Sequence, residues 1–185
     1  HPRKWVHIPN GFDTDAFRPA ADARARVRAE LGIPENSFVV GLVARLDPMK
    51  GLDTFFRAAG LFLKRHPAAH AVLAGRGLSG DDPWIAGQIE ASHAARLHFL
   101  GERPDIPDLL NAFDIASSSS LSEGLPNAVG EAMASGLPCA VTDAGDSAAL
   151  VGETGVVVPK ADPSALCAAW ESLHDAGADR RRALG

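Results

Sequence analysis

The chain has 185 residues, 46% of them apolar and 22% charged, with a formal net charge of −5 at pH 7. That length fits one domain comfortably and two only with difficulty, and it supplies a core without a disulfide or metal staple. The acidic balance speaks against a nucleic-acid partner, and no apolar stretch approaches the roughly 18 residues that a membrane span needs.

Residues 1–19 read as an inter-domain segment with a turn at Pro9-Asn10-Gly11. Asp13-Thr14-Asp15 has the form of a metal-binding D-x-D but lies far from the later motifs, so it reads as a second turn. The chain lacks an initiator methionine and a visible signal peptide, which predicts a fragment whose remaining residues, 20–185, form one domain. Apolar runs at 38–43, 71–74, 97–100, 115–116, 139–141 and 156–158 read as strands. After the first comes the clearest helix, with Leu52, Phe55, Phe56, Ala59, Phe62 and Leu63 on one face and Asp53, Arg57 and Lys64 opposite. Ile106, Leu109, Leu110 and Phe113 repeat the spacing in a shorter helix. Asp162 and Pro163 read as the cap and first residue of a last helix that turns Leu166, Trp170 and Leu173 inward. The run 117–120 is all serine and too short for a linker. Cys139 falls in a strand and Cys167 on a helix face, a usage that fits a reducing, cytoplasmic compartment. Pro67 breaks the helical spacing of His66 and His70, so no metal site is expected there.

Strands alternating with helices predict an α/β domain, a doubly wound Rossmann-like parallel sheet covered on both faces. Ligands of such sheets bind beyond the carboxyl ends of the strands, where strand order reverses. In the order 3-2-1-4-5-6 that crevice lies between strands 1 and 4. The loop after strand 1 carries Arg45 and Lys50, a planar fork and a point charge that both suit phosphate oxygens, just before a helix. Read alone, they are two surface cations flanking a turn. The loop after strand 4 reads Ser122-Glu123-Gly124-Leu125-Pro126-Asn127, with Pro126 expected as the first residue of a helix that continues to Gly136. Gly124 permits close backbone approach, and the free amides of the helix start attract anions, less the one that Pro126 lacks. Asn127 and Glu131 share a face that can point into the crevice. Two glutamates at this spacing occur in many proteins, and here their weight comes from sitting on strand 4 opposite the cation pair.

In order along the chain, these residues resemble the C-terminal domain of GT-B retaining glycosyltransferases, specifically glycosyltransferase family 4, also called glycosyl transferases group 1. The resemblance is carried by Ile8-Pro9-Asn10-Gly11-Phe12-Asp13, Phe17-Arg18-Pro19, Val43-Ala44-Arg45-Leu46 and Lys50-Gly51. It continues through Leu97-His98-Phe99-Leu100-Gly101, the block from Glu123 to Glu131 with Ala132-Met133-Ala134, and Thr154-Gly155. It implies one half of a GT-B fold, the half that binds a nucleotide-diphosphate sugar, with the glycan, lipid or small-molecule acceptor held by an N-terminal domain absent here. It implies that Arg45 and Lys50 hold the diphosphate, that Glu123 meets the transferred sugar and that Glu131 meets the nucleotide ribose. Gly124, Leu125 and Asn127 would complete the donor site, and the loop around Arg103 and Ile106 would frame the base. With two cations at the leaving group, the transfer of a hexosyl group needs neither metal nor cofactor. The full-length protein is expected in the cytoplasm, with a peripheral place at the inner face of the membrane open to it.

This sequence departs from the family where Gly145 is followed by Asp146 and a usual glutamate position holds Ala149, which leaves the sugar open. Three other readings stand beside this one. Gly75-Arg76-Gly77-Leu78-Ser79-Gly80 is a formal dinucleotide fingerprint, with Glu102 near a ribose-binding position, and would make the protein an NAD-dependent oxidoreductase. However, Asp81-Asp82-Pro83 separates it from any helix and it follows strand 2, so a turn fits better. The other two are a non-catalytic nucleotide-binding module and a GT-B epimerase using the same donors.

Overall fold

The computed structural model describes residues 10–185. Ile8 and Pro9 of the leading motif, and with them part of the 1–19 segment, lie outside the described residues. Six strands, β1 (Val39–Val43), β2 (His70–Ala74), β3 (Leu97–Phe99), β4 (Ile115–Ser118), β5 (Cys139–Thr142) and β6 (Val156–Val158), form one sheet in the order β3-β2-β1-β4-β5-β6. Every neighbouring pair is parallel, and Gly41 of β1 is matched with Val72 on one side and Ala116 on the other. Strand order therefore reverses between β1 and β4, as the sequence predicts.

Eight helices are described: α1 (Ala21–Glu30), α2 (Leu52–Arg65), α3 (Pro83–Ala86), α4 (Ile106–Asn111), α5 (Asn127–Ala134), α6 (Ser147–Val151), α7 (Pro163–Asp175) and α8 (Gly177–Leu184). Side chains that alternate along the strands feed two cores. Val40, Leu42, Ala71 and Leu73 join the α2 and α7 layer, and Val39, Val72 and Ala74 join the α1, α4 and α5 layer. In the first layer the buried Trp170 ring lies 5.2 Å from Phe55 and 5.8 Å from Phe62. Its Nε1 donates to Ser117 Oγ at 3.0 Å, which explains how serines extend β4 beyond the expected apolar pair: the buried hydroxyl has a partner. Asp162 caps α7 as expected, accepting from the Ala165 amide at 2.9 Å.

α1 was not signalled by periodicity, because it has no apolar stripe and is held by charge. Arg28 is buried and reaches Asp114 Oδ2 at 2.8 Å, the Ser37 carbonyl at 2.8 Å and the Ala112 carbonyl at 2.9 Å. Arg24 takes Asp114 Oδ1 at 2.8 Å, and Oδ2 also accepts from the Val39 amide at 2.8 Å. Each nitrogen of the buried Arg28 guanidinium has an acceptor, the condition under which a buried charge is tolerated.

Two helix boundaries differ from the expectation. Pro126 is the N-cap of α5, with extended backbone (φ −78°, ψ 93°), so Asn127 is the first helical residue. The helix ends at Ala134, and Gly136, at φ 77°, sits beyond it in the left-handed conformation that closes helices. The Gly75 to Gly80 loop is a turn: Leu78 is buried and its amide donates to the Gly75 carbonyl at 3.1 Å. Asp82 caps only the single turn of α3. Asp13-Thr14-Asp15 is likewise a turn, Asp13 Oδ1 accepting from the amides of Asp15 and Ala16 at 3.0 Å each.

Candidate functional site

The crevice between β1 and β4 is walled by their two following loops and by the start of α5. Glycines let those loops meet. Gly51 has φ 56°, and a Cβ on it would lie 2.2 Å from the Ser119 carbonyl oxygen. Across the same contact the Leu121 amide donates to the Met49 carbonyl at 2.7 Å and Ser119 Oγ donates to the Lys50 carbonyl at 2.8 Å. On the other side Gly145, at φ 55°, would place a Cβ 2.3 Å from the Glu123 carbonyl oxygen. The Asp146 amide donates to the Gly124 carbonyl at 2.9 Å. The loop after β5 thus rests on the backbone of Glu123 and Gly124, while Ala149 is exposed on α6.

Of the two predicted cations, Arg45 precedes the short 3-10 turn Pro48–Lys50 and Lys50 ends it. Asp47 organises it, with Oδ1 accepting from the Met49 amide at 2.8 Å and Oδ2 from Arg45 Nε at 2.9 Å. The Met49 N–H and the Arg45 guanidinium hold the Asp47 carboxyl below its ordinary value. Arg45 is 56% exposed, so its pairing with Asp47 is a weak, solvent-screened one that yields readily to a stronger anion. Lys50 is more enclosed, and its Nζ lies 2.5 Å from Glu123 Oε1. The same Oε1 accepts from Ser120 Oγ at 2.7 Å. Residues distant in sequence, Lys50 and Glu123, are therefore in direct contact at the switch point.

The other predicted residues take varied places. No atom beyond its chain neighbours lies within 4 Å of where a Gly124 side chain would start, so that side of it is open while its carbonyl is taken by the Asp146 amide, and Leu125 is half-buried beside it. Asn127 lines the crevice, but its Oδ1 accepts from Asn10 Nδ2 at 3.1 Å, tying the leading segment to α5. Phe12 reinforces that tie, its ring lying where a Cβ on Gly130 would be. Glu131 sits one turn further along α5, outside the residues lining the crevice, with no ion-pair partner among the described residues. Burial pushes its carboxyl above the ordinary glutamate value. Arg103 is not brought to the crevice: it pairs with Asp105 at 2.6 Å and Glu30 at 2.5 Å, fastening α1 to the loop after β3. Ile106 opens α4 and packs into the core beside α1.

Sequence reasoning missed Asp47, Ser120 and Thr142, whose Oγ1 donates to the Ser120 carbonyl at 2.6 Å. The available signal was position: polar residues at the carboxyl ends of β1, β4 and β5 border the crevice. Among the described residues no group of three or more His, Cys, Asp or Glu could hold a metal. No described helix is long and apolar enough to cross a membrane.

A doubly wound sheet with a lysine and a carboxylate in contact at its switch point, and an exposed arginine on the same loop, has the form of a binding domain for a phosphorylated ligand. Residues 37–176 match the sequence profile of the Glycosyl transferases group 1 family, and the chain belongs to that family. It is 37% identical over 152 residues to the UDP-Gal:alpha-D-GlcNAc-diphosphoundecaprenol alpha-1,3-galactosyltransferase of Escherichia coli, covering 81% of this chain and 39% of that protein. It is also similar to the crystal structure of Anabaena HepE in complex with UDP (TM-score 0.83, 28% identity, 96% of this chain and 49% of that one). The HepE complex with UDP-glucose gives a TM-score of 0.81 at 27% identity, again over 96% and 49%. The chain therefore spans about two fifths to one half of the relatives it matches.

Proposed function

We propose that this chain is the donor-binding half of a retaining, metal-independent hexosyltransferase. The observation that carries the reading is the Lys50–Glu123 contact at the switch point, on the loop that also carries Arg45. Breaking the bond from anomeric carbon to phosphate leaves an oxocarbenium-like sugar and a more negative diphosphate, by analogy with glycoside hydrolysis. Arg45 and Lys50 stand where that negative charge grows, so they stabilise the transition state more than the ground state. Glu123 accepts hydrogen bonds from the transferred sugar, Glu131 from the ribose, and Gly124, Leu125 and Asn127 complete the donor wall. The backbone after β3 frames the base, leaving Arg103 to hold that loop. The leaving phosphate takes the acceptor's proton, so no metal or cofactor is required.

The acceptor, a glycan, lipid or small molecule, belongs to a second domain outside this chain. The whole enzyme works in the cytoplasm on cell-surface polysaccharide or glycolipid precursors. Two relatives named with uridine nucleotides make UDP the first base to test.

The deciding experiment is calorimetric titration of the chain with UDP, GDP, ADP and NAD, beside an Arg45→Ala/Lys50→Ala double variant. Saturable binding of one nucleoside diphosphate, weakened at least about tenfold in the variant, is expected. NAD binding that survives the variant would instead point to the glycine turn after β2. The chain alone is expected to transfer no sugar, because its crevice has no acceptor side.

A further inference from the structure

Glu123 carries an asymmetric load. Its Oε1 accepts two hydrogen bonds, from Lys50 Nζ at 2.5 Å and Ser120 Oγ at 2.7 Å, while Oε2 has no partner among the described residues. Ser120 is 2% exposed, and its backbone is pinned to β5 by Thr142 Oγ1, 2.6 Å from its carbonyl oxygen. Its hydroxyl has one further neighbour, Ser118 Oγ at 3.3 Å. One oxygen of Glu123 is therefore fixed by two donors of different kind, a cation on the loop after β1 and a buried neutral hydroxyl.

A donor diphosphate separates those two. Lys50 is drawn to the phosphate oxygens, and a carboxylate held only by Lys50 would lose its anchor as two more negative charges arrive beside it. The Ser120 bond carries no net charge to compete for. We propose that Ser120 is the positioning residue that keeps Glu123 in its sugar-binding pose, Oε2 free, once Lys50 has turned to the diphosphate. This rests on the donor-site reading above.

The test measures affinity for UDP and for UDP-glucose or UDP-galactose in this chain, as wild type, Ser120→Ala, Ser120→Thr, Glu123→Gln and the Ser120→Ala/Glu123→Gln pair. Ser120→Ala is expected to weaken nucleotide sugar relative to UDP by about tenfold, the scale of one hydrogen bond to a charged group. Ser120→Thr, which keeps the hydroxyl, restores the ratio. In the Glu123→Gln background the Ser120→Ala change has a smaller effect, since the neutral amide oxygen that still accepts from Ser120 holds the sugar more weakly than the carboxylate does. The proposal is overturned if Ser120→Ala leaves the ratio unchanged, weakens UDP equally, or acts undiminished in the Glu123→Gln background. Should Ser120→Thr fail to fold, the double-variant cycle decides alone. Wild-type chain that binds neither UDP nor the sugar nucleotides would be a different failure, sinking the donor-site reading and this inference with it.

Discussion

Glu131 is a half-buried carboxylate with no cation beside it among the described residues, an arrangement that costs stability unless a ligand uses it. Because burial raises its folded value, the penalty is present at neutral pH and is relieved as pH falls through that raised value. Glu131→Gln is therefore expected to raise the melting temperature at pH 7. If the carboxylate accepts from the nucleotide ribose, the same change weakens nucleotide binding about tenfold. Thermal unfolding and calorimetry on one sample separate the two effects. A more stable variant that binds as well as wild type would remove Glu131 from the donor site. Arg103 teaches the reverse lesson, since its two carboxylate partners engage the guanidinium fully within the fold.

At the level of elements, the donor loop depends on one glycine. Gly51 is both left-handed and in backbone contact with the strand-4 loop, so an added methyl meets a carbonyl that cannot step aside. Gly51→Ala is expected to cost about 2 kcal/mol or more, a fall in melting temperature of roughly 4–8 °C, and to weaken nucleotide binding with it. A variant with unchanged melting would show that the two loops are not braced there. What sequence could announce follows the same line between local and distant causes. The apolar face of α2 and the Asp162 cap of α7 were legible, because their partners lie within a turn or on a periodic stripe. α1 was not, because its anchor is Asp114, 86 residues beyond Arg28. The switch-point pair was legible through topology, since strand order brings the loops after β1 and β4 together. Ser120 was hidden in a serine run, and only the closed loop shows which hydroxyl meets Glu123.

Across the whole molecule, acid is expected to loosen the fold through its outer strands. His70 Nδ1 and His98 Nε2 lie 3.0 Å apart where β2 pairs with β3. Burial, then His98, Arg96 and Arg28, depress the His70 value to about 4. The unfolded chain binds a proton near the ordinary value of about 6.5 while the native one refuses it until about 4. The contribution of His70 to stability should thus be full above about pH 6.5 and decline progressively towards pH 4. His70→Asn should flatten that decline in melting curves taken across the range, and an unchanged slope would assign the acid sensitivity to other groups.

The two thiols bear on how this protein can be studied. Cys139 and Cys167 are both buried and unpaired, with values pushed up to about 12 and about 11. Burial that shields both sulfurs and disfavours the thiolate leaves alkylating reagents little to attack at pH 7. The native chain is in practice a cysteine-free background. A single cysteine at Met49, 49% exposed on the turn between Arg45 and Lys50, would carry a fluorophore alone and report on that loop as ligands arrive, with both native thiols left in place.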